Sequence, residues 1–265
     1  MRLKFLLILL VLLTISIILS GCHSTYQEER YFSENFRHGM TLEISNDIGN
    51  VEIRNWESNR ISVVANITGY ASSIEEARRF VDSTQIRRTW HGSRLHINSV
   101  TQGETITSGS KVDYVITIPR DFNADINTTT GDIRIEEIRG NVNLKTSTGD
   151  IRIRSLIGDI FSRTSTGNIR INEFEGEMDI ETSTGNINVS LFNQRYTQNN
   201  IRTSTGDIEL VFFSDPSAFF DLKVSTGDIY YFGTYYDDDI QAGRRSSSTK
   251  YNIRTSTGDI FLSHR

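Results

Sequence analysis

The residues of this chain that could do chemistry are few, and most recur at a fixed interval. Thr-Gly-Asp/Asn-Ile returns with its glycine at Gly131, Gly149, Gly167, Gly185, Gly206, Gly227 and Gly258. A carboxylate or amide therefore follows at Asp132, Asp150, Asn168, Asn186, Asp207, Asp228 and Asp259. Calcium-binding β-rolls also place one aspartate per turn, but they need Gly-Gly-x-Gly-x-Asp to bring carbonyls to the ion, and that spacing is missing. Asp or Asn beside glycine is favoured in tight turns because its side chain bonds nearby backbone, so the row reads as structural and neither metal nor cofactor is expected. Carboxylates ~5 to 10 Å apart could hydrolyse glycosides, yet any repeat with an acidic position supplies such pairs, and the match selects nothing. His23, His38, His91, His96 and His264 lack metal-ligand spacing, and there is no Gly-x-Ser-x-Gly elbow. His96 falls in an expected strand, in an ordinary polar face position. The Thr-Ser-Thr sets at 146–148, 164–166, 182–184, 203–205 and 255–257 resemble ice-binding arrays, but they adjoin charges, and hydroxyl ladders with β-branched packing explain them. The chain reads as a non-enzyme.

The single thiol, Cys22, has a direct chemical use. Residues 1–4 carry two positive charges, and residues 5–19 are apolar except for Thr14 and Ser16. That is the form of an export signal, and the run is short of the ~20 residues a membrane span needs. It ends in Leu19-Ser20-Gly21-Cys22, which resembles the bacterial lipobox. The resemblance implies that residues 1–21 are a lipoprotein signal peptide and that Cys22 becomes a lipidated N-terminus holding the chain to a membrane. His23 stands where an aspartate often retains lipoproteins in an inner membrane, so outer-membrane or cell-surface delivery is open. Polar residues follow, and 22–37 is expected to be a tether.

Composition bounds the rest. In 265 residues, 28 basic and 33 acidic side chains give a net charge of −5, or −7 once Arg2 and Lys4 leave with the leader, so nucleic-acid binding is disfavoured. One cysteine excludes an intramolecular disulfide and any zinc site built on several cysteines.

The elements that carry these residues follow from the repeat. Successive glycines are 18, 18, 18, 21, 21 and 31 residues apart, and half-units at Gly140, Gly158 and Gly176 lie nine residues after a main glycine. The second residue after each main glycine is Ile133, Ile151, Ile169, Ile187, Ile208, Ile229 or Ile260. The fourth is nearly always apolar, and the residue between is often charged, as in Arg134, Arg152 and Arg170. Such alternation is a half-buried strand, and a unit this short can bury its apolar face only by stacking on its neighbours. The expected fold is all-β, a single-stranded parallel β-solenoid (β-helix) with about 18 residues per coil. Seven coils at ~4.8 Å would give a core rod roughly 34 Å long.

Ahead of the array, residues 42–53 read as a divergent first coil, and further strands are expected at 61–67, 94–98 and 112–118. One short N-terminal capping helix follows Ser72 or Ser73, with Glu75 or Glu76 completing a capping box and Ile74, Ala77, Phe80 and Val81 on one face. The solenoid domain is expected over 38–265, divided into N-terminal coils and cap at 38–125 and the repeat array at 126–265. Residues 233–250 read as the longest loop-like insertion. Most of the aromatics at 211–213, 219–220 and 230–232 are expected to cap the final coil, and Trp56 and Trp90 to be core or cap residues. The partner-binding candidates are Tyr235, Tyr236, Asp237, Asp238 and Asp239, because exposed aromatics beside acids suit sugar or protein contacts.

These segments, in their order, are similar to the bacterial putative-adhesin family of unknown function, related to the head domain of putative autotransporter adhesins. The resemblance rests on Asn46-Asp47-Ile48-Gly49-Asn50-Val51, Ser73-Ile74-Glu75-Glu76-Ala77, Val112-Asp113-Tyr114-Val115-Ile116-Thr117-Ile118-Pro119 and the repeated Thr-Ser-Thr-Gly-Asp-Ile. It implies a β-helical, extracytoplasmic protein without established catalytic residues, and it carries over no functional residue. The expectation is a cell-envelope lipoprotein that binds or scaffolds. Its partners would be the membrane, through Cys22, and a surface polysaccharide or envelope protein. An envelope-stress or signalling component and a carbohydrate-active enzyme are the alternatives.

Overall fold

In a computed structural model of the chain, residues 24–105, 107–192 and 197–265 are described. The leader and Cys22 lie outside them. Among the described residues the fold is all-β with one helix, and the strands form two sheets of 12 and 11 strands, here called first and second. In the array the chain alternates between sheets. Asn123–Thr130, Val142–Thr148, Ile160–Thr166 and Met178–Thr184 belong to the second, whereas Ile133–Arg139, Ile151–Ile157, Ile169–Glu175 and Ile187–Leu191 belong to the first.

Register explains the repetition. Ile133 pairs with Ile151, Ile151 with Ile169 and Ile169 with Ile187, all parallel. On the opposite sheet Val142, Ile160 and Met178 form the matching row. Both rows point inward and are at most 3% exposed. A fully buried side chain of this size contributes roughly 1.5 to 3 kcal/mol, a gain each strand realises only between two others. At the corner, Gly149 has φ +152° and donates to the Thr166 carbonyl at 2.9 Å, and a Cβ built there would lie 2.1 Å from the Gly131 carbonyl oxygen. Only glycine fits both the conformation and the approach.

The coils do not stack in chain order at either end. The strands Thr41–Ile48 and Val51–Asn55 lie between Arg94–Val100 with Gly109–Ile118 on one side and Asn123–Thr130 with Ile133–Arg139 on the other. At the opposite end Lys250–Thr257 and Ile260–His264 fill the layer between Gln198–Thr205 with Ile208–Phe212 and Phe219–Thr226 with Ile229–Tyr231. The first and last coils are therefore interior layers. The outermost positions go to antiparallel strands: Ser24–Asn35 and Gln85–His91 at one end, Thr234–Tyr236 and Ile240–Gly243 at the other. With eleven spacings of ~4.8 Å, the longer sheet spans about 53 Å.

The tether expected over 22–37 is corrected. Ser24–Asn35 pairs along its whole length with Arg60–Ala71, from Ser24 opposite Ala71 to Asn35 opposite Arg60. Its polar composition reflects an edge strand: Tyr26 and Phe32 pack on the core while charges guard the open side. Arg30 on this strand donates to the Val81 carbonyl at 3.0 Å and to the Thr84 carbonyl, supplying the cation that the last turn of the helix lacks. The helix itself, Ile74–Ser83, starts as expected, with the Ser73 hydroxyl accepting the Glu76 N–H at 3.2 Å. Ala77 and Val81 are buried, Val81 within the core, while Ile74 is 37% exposed. Residues 233–250 are not wholly loop, since Thr234–Tyr236 and Ile240–Gly243 are short strands.

Candidate binding faces

The Asp/Asn corner is a hydrogen-bond ladder. Each side-chain Oδ1 accepts the backbone N–H of its counterpart one layer on: Asn50 from Asp132, Asp132 from Asp150, Asp150 from Asn168, and Asn168 from Asn186. It continues through Asn186, Asp207 and Asp259 to the N–H of Asp228, at 2.8 to 2.9 Å, following the intercalated order. Thr146, Thr164, Thr182, Thr203 and Thr255 are buried, and each hydroxyl donates to a glycine carbonyl of the adjacent layer at 3.0 to 3.2 Å. The structural reading of both motifs is what these contacts show. Val224 replaces this threonine in the Phe219–Thr226 strand, at the end of the glycine stack.

Beside the ladder, on the outer face of the first sheet, Arg152 binds Asp132 at 3.0 Å and also Asp150, while Arg134 approaches Asp132 at 3.3 Å. Arg152, Arg170 and the amides Asn168, Asn186 and Asn188 line a shallow trough of about 200 Å³ with Asp150. Burial alone would push the Asp132 carboxyl up, but the Asp150 N–H and the Arg152 guanidinium outweigh it and hold the group below the ordinary carboxylate range. A carboxyl depressed on folding contributes stability that is present above its unfolded pKa and lost as pH falls through the folded value. This contribution is expected to fade below about pH 4. Asp132→Asn, which keeps the ladder oxygen, should flatten the acid limb of the unfolding midpoint against pH. An unchanged limb would show that the cluster does not couple charge to folding.

The sequence-based partner candidates sit at the end where the chain doubles back. Tyr235 and Tyr236 lie on the edge strand Thr234–Tyr236, 56% and 36% exposed. The Tyr235 hydroxyl donates to Asp228 at 3.1 Å, and its ring leans on Tyr230, which stacks on Phe261 at 4.8 Å. Asp237, Asp238 and Asp239 are all exposed, and Asp239 accepts the Val224 N–H at 3.0 Å and so holds the hairpin. Behind this edge Phe212, Phe220 and Tyr251 are buried in mutual ring contact. A cleft of about 490 Å³ opens there between Phe220, Tyr231, Phe232, Arg244 and His264. Trp90 is half-buried, with Arg37 over its ring at 4.1 Å, but Trp56 is 36% exposed, its indole N–H donating to the Arg60 carbonyl. His96 lies 3.4 Å from Glu43 on the face of its strand.

One row escaped the sequence reading. The residue before each Thr-Ser-Thr, or before Val-Ser-Thr in one coil, is Lys145, Arg163, Glu181, Arg202, Arg254 or Lys223, and all six fall in register on the outer face of the second sheet. The signal was present as a charged residue at one fixed offset from the repeat.

Residues 162–263 match the model of the Toastrack DUF4097 family. That match agrees with the putative-adhesin resemblance. The chain has no significant match among curated proteins. Among solved structures it is similar to a putative adhesin from Parabacteroides distasonis, at 10% identity and TM-score 0.45 over 89% of this chain and 97% of that one. A putative adhesin from Bacteroides fragilis gives 11% and 0.44 over 89% and 97%. A putative cell adhesion protein from Clostridium sporogenes gives 8% and 0.35 over 89% and 100%. These likenesses are too distant to transfer a ligand or a site.

Proposed function

We propose that this chain, Toastrack over residues 162–263, is an extracytoplasmic lipoprotein held to a membrane through Cys22, and that its rod binds or scaffolds, adhesin-like, without catalysis. Residues 1–21 would be the removed signal peptide, and the repeat array one chain wound at about 18 residues per coil. The observation that carries this reading is the register, which repeats outward side chains along both faces at the strand spacing. A surface of that kind suits an extended partner touched at many points.

The strand that replaces the expected tether adds an orientation. Cys22 precedes the first residue of Ser24–Asn35 by two positions, so at most ~7 Å of chain separates the lipidated residue from the sheet. The end bearing this edge strand would stand on the bilayer, and the Tyr235 end would project about 53 Å from it, by eleven spacings of ~4.8 Å.

Protease shaving of intact cells tests the reading, with lysed cells as control. A fragment should be released from wild-type cells and fatty-acid label should enter the wild type, neither being seen for Cys22→Ala. Label that survives the substitution would refute the anchor. Protection until lysis would refute surface display and direct the search to envelope proteins that co-purify with the chain.

A further inference from the structure

The outer face of the second sheet carries an excess of one charge that the chain as a whole does not have. Along the row Lys145, Arg163, Glu181, Arg202, Arg254 and Lys223, five of six successive layers are basic, although acidic residues outnumber basic ones by 33 to 28 overall. Direct neighbours in a parallel sheet lie ~4.8 Å apart, and like charges placed so oppose folding. Two of the five cations are compensated. Arg163 meets Glu181 at 3.2 Å and Asp179 at 3.9 Å, and Arg254 meets Asp221 at 3.6 Å. Lys145, Arg202 and Lys223 have no carboxylate partner among the described residues. Arg202, Arg254 and Lys223 thus form three consecutive cations against one carboxylate.

One flank of this row carries the carboxylates Asp179 and Asp221 two positions before Glu181 and Lys223, and amides in the two layers between them. Two positions before Arg202 and Arg254 stand Asn200 and Asn252, joined amide to amide at 3.1 Å. On the other side, the Ser and Thr that follow the buried threonine are exposed in every layer. Lys145 and Arg163 lie over the ring of Phe161 at 5.4 and 4.3 Å, which keeps both on the face. A predominantly cationic row, flanked at Arg202 and Arg254 by amides and along its other side by hydroxyls, is complementary to a polymer with carboxylates along its length and hydroxyls beside them. A densely charged polyphosphate or nucleic acid would find no further cations on the flanks and would meet the repulsion of a chain of net charge −5.

We infer that the outer face of the second sheet, centred on Arg202, Arg254 and Lys223, binds a linear acidic polysaccharide carrying carboxylates, laid along the rod axis. This rests on the binding role proposed above and names its ligand class. Arginine forks hold carboxylates bidentately, and the lysines add charge that salt would screen.

The test uses the full-length lipoprotein in detergent and biolayer interferometry on polygalacturonate, with dextran and polyphosphate as the neutral and phosphate arms. Polygalacturonate should bind, more weakly as salt rises, and dextran should not. The double variant Arg202→Gln with Lys223→Gln should bind at least about tenfold more weakly, with an unfolding midpoint unchanged or raised because exposed like charges have been removed. Arg134→Gln on the first sheet should bind as wild type does. No binding by wild type, equal binding by the double variant, or preference for polyphosphate would each overturn the inference. Failure of the broader reading looks different: cells would resist shaving while the purified chain still bound polygalacturonate.

Discussion

Gly149→Ala is expected to cost about 3 kcal/mol or more of stability, whereas Gly39→Ala should cost about 1. Both glycines have positive φ, +152° and +68°. Gly39 sits in the left-handed helical region with nothing within 4 Å of a built Cβ, so alanine there meets only its own conformational penalty. Gly149 lies in an extended region with positive φ that is essentially closed to other residues, and its Cβ would meet the backbone of the next layer at 2.1 Å. That carbonyl, of Gly131, also accepts the Thr146 hydroxyl at 3.2 Å, so it cannot retreat without loosening a second contact. Because the corner repeats, displacing it disturbs the layers on both sides. Urea midpoints of the two variants measure the contrast, and equal shifts would show that the coils are not packed as closely as the glycine stack requires.

The parts of this fold that sequence makes legible are those where stacking demands the same residue in every layer. Ile133, Ile151 and Ile169 occupy one inward column, and the glycine before each has its neighbour's carbonyl against its Cα, so neither position can drift. The helix start was legible for a local reason, since Ser73 and Glu76 form their contact within four residues. What repetition conceals is layer order. Gly206 is followed in sequence by Gly227 but in space by Gly258, and all three belong to the same Thr-Gly-Asp-Ile motif, so nothing local distinguishes the arrangements. Outward positions were hard to read for the opposite reason, because water permits variation there. Phe161 points out and Ser162 points in, against their ordinary preferences, since the register with Asn143 and Asp179 fixes the face. The strand Ser24–Asn35 was missed because an edge needs one apolar face and a polar surface elsewhere, which in sequence looks like a linker.

Hydrogen exchange should find the amides of residues 250–264 among the slowest in the chain, roughly a thousandfold slower than those of Thr234–Tyr236 and Ile240–Gly243. If the coils stacked in chain order, these last strands would form the exposed end of the rod and fray first. Instead their layer is bonded on both sides. Gly258 and Ile260 donate to the Thr226 and Asp228 carbonyls at 2.9 Å, while the Thr257 and Asp259 carbonyls accept from Gly206 and Ile208 at 2.8 and 2.9 Å. Tyr251, Ile253 and Ile260 have no exposed surface, and the Tyr251 ring stacks on Phe220 of the outer layer at 5.0 Å. Opening this layer breaks two ladders at once and empties a slot in the core, whereas opening the hairpin beyond it breaks one edge. The protection should therefore fall from 250–264 to 219–231 and again to 234–243, out of chain order. Faster exchange in 250–264 than in 219–231 would sink the intercalated arrangement. The same geometry sets a folding order, because the layer at 219–231 can dock fully only after residues 250–264 have arrived between it and the rod, a contact of long sequence separation and hence a slow one.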